Sequence, residues 1–220
     1  MTRSQTLSVV TVKRIVLSRW SGFLFFLLCL VPLFRLVRLG FTGNLTSNPI
    51  QFLAYATGDW TLRFLMLTLA VTPLPFVLNQ PGLSRFHRMA GWFAFFYGFV
   101  HLANWIWLDK GLYSSEFWED ILRRQYIVVG IVCLALTAPL AVIPEAWWMR
   151  RPGFRRWQVL QWAIYVTAAA GVIYYYWSVR SDVRGPVAYG AILSVLLLCR
   201  AAVWSVKKRR TPSASSLRAA

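Results

Sequence analysis

Histidine is the scarcest chemistry-bearing residue in this 220-residue chain, with His87 and His101 its only two. Both are expected on one helix, the third span. Their fourteen-residue spacing returns a helix to within about 40° of the same face while separating the two positions by about 21 Å. A neutral imidazole nitrogen is a good axial ligand for haem iron, and in a helical bundle the second ligand usually comes from a facing helix. One helix so spaced could serve two haems, one near each membrane surface. The settings of the two histidines differ. His101 falls in Phe95-Phe96-Tyr97-Gly98-Phe99-Val100-His101-Leu102, where an ionisable group is costly and reads as a ligand or redox residue, with a structural hydrogen bond as the alternative. His87 falls in Arg85-Phe86-His87-Arg88 and reads first as a headgroup contact. The forked guanidinium groups of Arg85 and Arg88 match haem propionates or the phosphate of a flavin such as FMN, and their plainer role is a topological charge.

The elements that must carry these residues follow from composition. At 58% hydrophobic, 14% charged and a mean hydropathy of +0.52, the chain is too apolar for an ordinary soluble domain. The apolar residues form six runs: about Trp20 to Phe34, Trp60 to Leu78, Met89 to Leu108, Tyr126 to Pro144, Trp157 to Trp177 and Val187 to Val206. The expected fold is all-α, a polytopic membrane protein with a six-transmembrane-helix bundle, because only internally bonded backbone is stable in a lipid bilayer. A net charge of +17 would suggest nucleic acid in a soluble protein. Here the basic residues lie mostly between the runs and need no nucleic acid partner: fifteen Lys and Arg fall on the N-terminal side against seven on the other. That bias predicts N-in/C-in topology. The expected organisation is a basic cytoplasmic N-terminus over 1–19, a transmembrane domain over 20–206 and a basic, disordered cytoplasmic tail over 207–220. The first run reads as a retained anchor, since no A-x-A-like cleavage site follows it.

Further expectations concern individual positions. Pro73 and Pro75 in the T-P-L-P segment predict a kink in the second helix. Arg63 is expected to snorkel to the far interface, and no carboxylate is expected inside any span. Most tryptophans, Trp60 among them, read as interface anchors, and Cys29, Cys133 and Cys199 as small buried hydrophobes. Asp109 to Arg124 reads as a short amphipathic surface helix on the far side, where the acidic residues Glu116 to Asp120 offer a docking surface for a soluble partner. No zinc-like cluster, nucleophile with a base, phosphate-binding Gly-rich loop or soluble flavin domain appears in the sequence.

Several segments together resemble a known family. They are Thr68-Leu69-Ala70-Val71-Thr72-Pro73-Leu74, Arg85 to Gly91 with Phe95-Phe96-Tyr97 and His101, Trp118-Glu119-Asp120-Ile121 with Arg124 and Tyr126, and Trp157-Gln158-x-Leu160 leading to Tyr165. In order and spacing this set is similar to the MsrQ family. Those proteins are haem-binding membrane subunits of bacterial periplasmic methionine sulfoxide reductase systems, within the ferric-reductase-like transmembrane group. The resemblance implies a six-helix cytochrome b in the inner membrane, carrying haem b and taking electrons from quinol or a flavin reductase. It would pass them to a periplasmic molybdopterin catalytic subunit that repairs oxidised envelope proteins. It also implies three haem-histidine positions. One is His101; the other two, in a W-x-x-L-H and an I-H segment, read Gln161 and Tyr174 here. Tyr174 lies at a depth similar to His101, so a His/Tyr or five-coordinate haem is one expectation, since tyrosine serves as an axial ligand in catalase. At the other end His87 would face Gln161, a poor ligand for haem iron. The alternative is a haem-less membrane anchor or assembly protein for a periplasmic partner.

Overall fold

The computed structural model describes residues 19–43, 46–74, 78, 80–110, 115–142, 154–179 and 182–210; within its helices the side chains at 19, 81, 110, 115–117, 120, 154–161, 204 and 206–210 are not described. The basic N-terminal stretch, Pro75, the connection carrying Arg150 and Arg151, and residues 211–220 therefore lie outside the described residues. So do the side chains of Arg155, Arg156, Gln161, Glu116 and Asp120.

Seven α-helices make up the described fold: α1 Arg19–Phe41, α2 Pro49–Val71, α3 Ser84–Asn104, α4 Ser115–Arg123, α5 Gln125–Val142, α6 Phe154–Ser178 and α7 Arg184–Arg210. No strand occurs among the described residues. A single 3-10 turn, Pro81–Leu83, leads into α3, and a π-helical turn, Trp105–Lys110, extends it. The short helix α4 lies where the sequence predicts a surface helix, with Trp118 and Leu122 exposed one turn apart.

Helix α2 starts earlier than hydropathy suggests, and the reason is local. Asn48 caps it, its side chain accepting from the Gln51 N–H at 3.2 Å, and Pro49 occupies the first turn, where a missing N–H costs nothing. At its C-terminal end the helix stops at Val71 with Thr72 as its cap, so α2 is interrupted at the T-P-L-P segment, where the prolines are expected to interrupt it; Pro75 lies outside the described residues. This register places Asp59 and Arg63 well inside a 23-residue helix, with Asp59 one residue before the apolar run expected to begin at Trp60. The threonines of α2 stay satisfied within the helix: Thr57, Thr61 and Thr68 each donate to the carbonyl four residues back.

Pairing of α2 with α3 is the most extensive in the fold; α5 and α6 pack beside them, and α7 closes against α6 and α2. The core is aromatic. Phe64 stacks on Tyr97 with ring centroids 5.2 Å apart and on Phe93 at 5.6 Å. Trp60 packs against this cluster instead of serving as a lone interface anchor. Tyr97 is fully buried, and its hydroxyl enters the α1 hydrogen-bond ladder, donating to Cys29 O at 2.9 Å and accepting from Leu33 N–H at 3.0 Å. It thereby ties α1, which contains Pro32, to the core. Of the cysteines only Cys29 is buried; Cys199 faces outward, contrary to expectation.

Among the described residues, three helices are long and apolar enough to cross a membrane: Trp20–Phe41, Gln125–Val142 and Arg184–Val203. These are outer helices with much apolar surface exposed, including Leu24, Phe34 and Leu198. The inner pair, α2 and α3, carries the polar residues. A helix flanked by other helices can hide polar groups against them, so it need not be apolar on every face.

Candidate functional site

Near the far end of α3, one turn beyond Gly98, His101 projects into a cavity of about 950 Å³ between α2, α3, α5 and α6. That volume suits a large organic ligand or cofactor. Its walls are held open by glycines. A Cβ on Gly58 would stand 3.2 Å from the His101 ring, one on Gly130 3.4 Å from the Tyr174 ring and one on Gly171 3.1 Å from Leu62. Two buried polar atoms on the cavity wall, Asn104 Oδ1 and Thr167 Oγ1, have no protein partner. An unpaired buried polar atom is costly, so both fit a pocket whose occupant supplies the missing partner.

The hydrogen bonds of His101 fix which nitrogen is available. Nδ1 stands 2.9 Å from the carbonyl oxygen of Ala54 and 3.3 Å from Thr57 Oγ1. A carbonyl oxygen can only accept, so Nδ1 carries the proton. Nε2 then presents its lone pair, and orientation of this kind by a backbone carbonyl is what a metal-binding imidazole requires. The lone pair faces Tyr174, whose hydroxyl donates to Nε2 at 3.2 Å, the two rings meeting edge to face. Two axial ligands on opposite sides of one iron need about 4 Å between their donor atoms, given metal–nitrogen bonds near 2.0 Å. As placed, His101 and Tyr174 are hydrogen-bonded partners and do not stand across an iron. The residues fit a cofactor held by His101 alone, with the tyrosine hydroxyl moved aside.

The other candidate residues lie elsewhere. His87, Arg85 and Arg88 occupy the first turns of α3 and do not line this cavity. Arg85 Nη2 donates to Ser21 Oγ on α1, and its guanidinium lies 4.8 Å from the Phe86 ring centroid. Gln161 lies in α6, and its side chain is not among those described.

Sequence reasoning missed a second polar cluster. Asp59 Oδ2 and Arg63 Nη2 form an ion pair at 2.6 Å, one helical turn apart. Tyr189 of α7 donates to Asp59 Oδ1 at 2.5 Å and accepts from Arg63 Nε at 3.3 Å. Arg63 also lies over Trp60, 4.6 Å from the ring centroid. It does not simply snorkel away; it is held in a network. The i,i+4 spacing of Asp59 and Arg63 was the available signal, whereas Tyr189 lies 130 residues from Asp59 and gave none.

Residues 57–172 match the model of the ferric reductase like transmembrane component, a segment that contains Gly58, His101 and Thr167. The chain is 40% identical over 183 residues to the protein-methionine-sulfoxide reductase heme-binding subunit MsrQ of Bordetella parapertussis, covering 82% of this chain and 88% of that one. The chain belongs to the MsrQ family. MsrQ proteins of Herminiimonas arsenicoxydans and Caulobacter vibrioides are each 39% identical, over 84% and 88% of this chain and 85% and 90% of their own lengths. No solved structure matches. In this chain His101 lines an open cavity, tyrosine occupies position 174 and glutamine position 161.

Proposed function

We propose that this MsrQ-family chain is a membrane electron-transfer subunit that holds one haem b at His101 and passes electrons to a periplasmic molybdopterin-dependent methionine sulfoxide reductase. The observation that carries the reading is the His101 imidazole, with Nδ1 hydrogen-bonded to Ala54 O and Nε2 directed into a glycine-walled cavity. The MsrQ relatives are named as heme-binding subunits of the same reductase system, which supports the cofactor. Haem supplies a one-electron couple within the bilayer. The protein's part is to orient the His101 ligand through Ala54 and Thr57, to keep the pocket apolar along Leu62, Leu65 and Leu134, and to offer Asn104 and Thr167 as polar contacts. Tyr174 controls access to Nε2. Electrons come from quinol or from a flavin reductase, the latter with FMN near the basic first turns of α3. In this reading all six long helices cross the inner membrane, N-in and C-in, and the exposed α4 lies on the periplasmic side where the catalytic subunit docks.

A second reading, a haem-less anchor for the same partner, draws on the Tyr174 hydroxyl occupying Nε2. The two separate in cells lacking the chromosomal copy, complemented with wild-type chain or His101→Ala at matched membrane abundance. Electron transfer predicts that wild type lowers methionine sulfoxide in envelope proteins and the variant does not. Equal repair by both would overturn it in favour of the anchor.

A further inference from the structure

Opposite Nε2 of His101 the cavity presents a hydrogen-bond donor. The Tyr174 hydroxyl meets Nε2 at 3.2 Å, and because Nδ1 carries the imidazole proton, the phenol is the donor and keeps its own. Tyrosine binds iron through its deprotonated oxygen, so a phenol that donates is poorly suited to be a second axial ligand. The other described residues that line the cavity do not replace it. His101 is the one imidazole among them, and they include neither methionine nor lysine. Cys133 lies on α5 nearly a turn further in than Gly130, the residue that backs the Tyr174 ring. Asp59 is engaged by Arg63 and Tyr189, and Asp109 and Asp182 are exposed at the mouth.

Tyr174 is placed to remain beside the open position. Its ring meets Tyr126 edge to face at 5.7 Å, and the Tyr126 hydroxyl accepts from Arg124 Nη1 at 3.3 Å, which ties the pair to the start of α5. Behind the ring, a Cβ on Gly130 would stand only 3.4 Å away; the missing side chain leaves the ring room to draw back. Once a metal occupies Nε2, the hydroxyl loses its acceptor, and a buried donor needs another. A small ligand bound opposite His101 supplies one. Polarity, hydrogen-bond donors and access on that side of a haem decide what binds there. The cavity mouth narrows the class of ligand. Asp109 and Asp182 set two carboxylates against the guanidinium of Arg124, which disfavours anions, and Leu62, Leu65 and Leu134 inside favour an uncharged molecule.

We propose that the iron held by His101 keeps its second axial position open to a neutral diatomic ligand such as carbon monoxide or nitric oxide, and that Tyr174 donates a hydrogen bond to the ligand bound there. The inference rests on the haem assignment and adds a function to it: a ligand that prefers ferrous iron holds the electron back from the partner. The test is carbon monoxide titrated into the dithionite-reduced full chain in lipid nanodiscs and followed at the Soret band, with haem per chain fixed beforehand by pyridine haemochrome. The expected result is a saturable shift of the whole band. Tyr174→His places an imidazole in the open position and should lower carbon monoxide affinity about tenfold or more with haem retained. Tyr174→Phe should still bind the gas and release it about fivefold faster, the weight of one neutral hydrogen bond. About one haem per chain with no shift, or equal affinity in Tyr174→His, would overturn the proposal and leave the haem assignment standing. Unchanged release from Tyr174→Phe would overturn the part given to the tyrosine. A folded chain without haem would overturn both the assignment and the proposal.

Discussion

The two ends of α3 carry the same residue type in different surroundings. At one end His101 faces Gly58 across α2, with Gly98 one turn before it on its own helix and Gly130 behind Tyr174; the space left open is a cavity. At the other, His87 sits in the first turns with Arg85 drawn to Ser21 and stacked on Phe86. Between them the Phe64–Phe93–Tyr97 stack fills the middle of the bundle. The histidine alone does not make the site. At the His101 end the described residues supply small side chains on facing helices and a carbonyl that fixes the imidazole tautomer.

The contrast can be broken most directly at the ligand. His101→Ala should lower haem per chain at least about tenfold, measured by pyridine haemochrome on protein of unchanged helical content. Gly58→Val tests the cavity without touching the ligand. Its added methyls would press on the imidazole, where even a Cβ is only 3.2 Å away, and should lower haem occupancy about three- to tenfold.

Tyr174→Phe sharpens the comparison in the other direction. Removing the hydroxyl that donates to Nε2 takes away a competing hydrogen bond of about 1 kcal/mol, so haem affinity should rise a few-fold in titrations of the haem-free protein. A fall would mean that the tyrosine ligates the iron. The smallest effect belongs to His87→Ala, which should leave haem content within about 1.5-fold of wild type because the residue is about 21 Å along the helix from His101. A loss matching that of His101→Ala would mean that the two ends of α3 are equivalent after all.

Much of this architecture was legible in the sequence. Six apolar runs correspond to six long helices, and the isolated histidine in an apolar run is the one that meets a cavity. The errors share a physical cause. Hydropathy sees a residue's own transfer cost and not its partner, so Asp59 and Arg63, which offset each other one turn apart, pushed the apparent start of α2 to Trp60. The cap at Asn48 and the proline at 49 held the better signal. Trp60 likewise reads as an interface residue until Phe64 and Tyr97 are seen against it. The glycine walls and Tyr189 depend on which helices face one another, and in one chain the spacing of residues does not encode that.

The account stands or falls on whether wild-type protein holds haem with His101 as its only protein ligand. Oxidised and dithionite-reduced absorbance spectra of the purified full chain, with haem quantified by pyridine haemochrome, test this most directly. The expected result is about one haem per chain, reducible and with the band shape of five-coordinate iron. A featureless spectrum from folded protein, produced with ample haem, would contradict it and leave the chain an anchor for its partner.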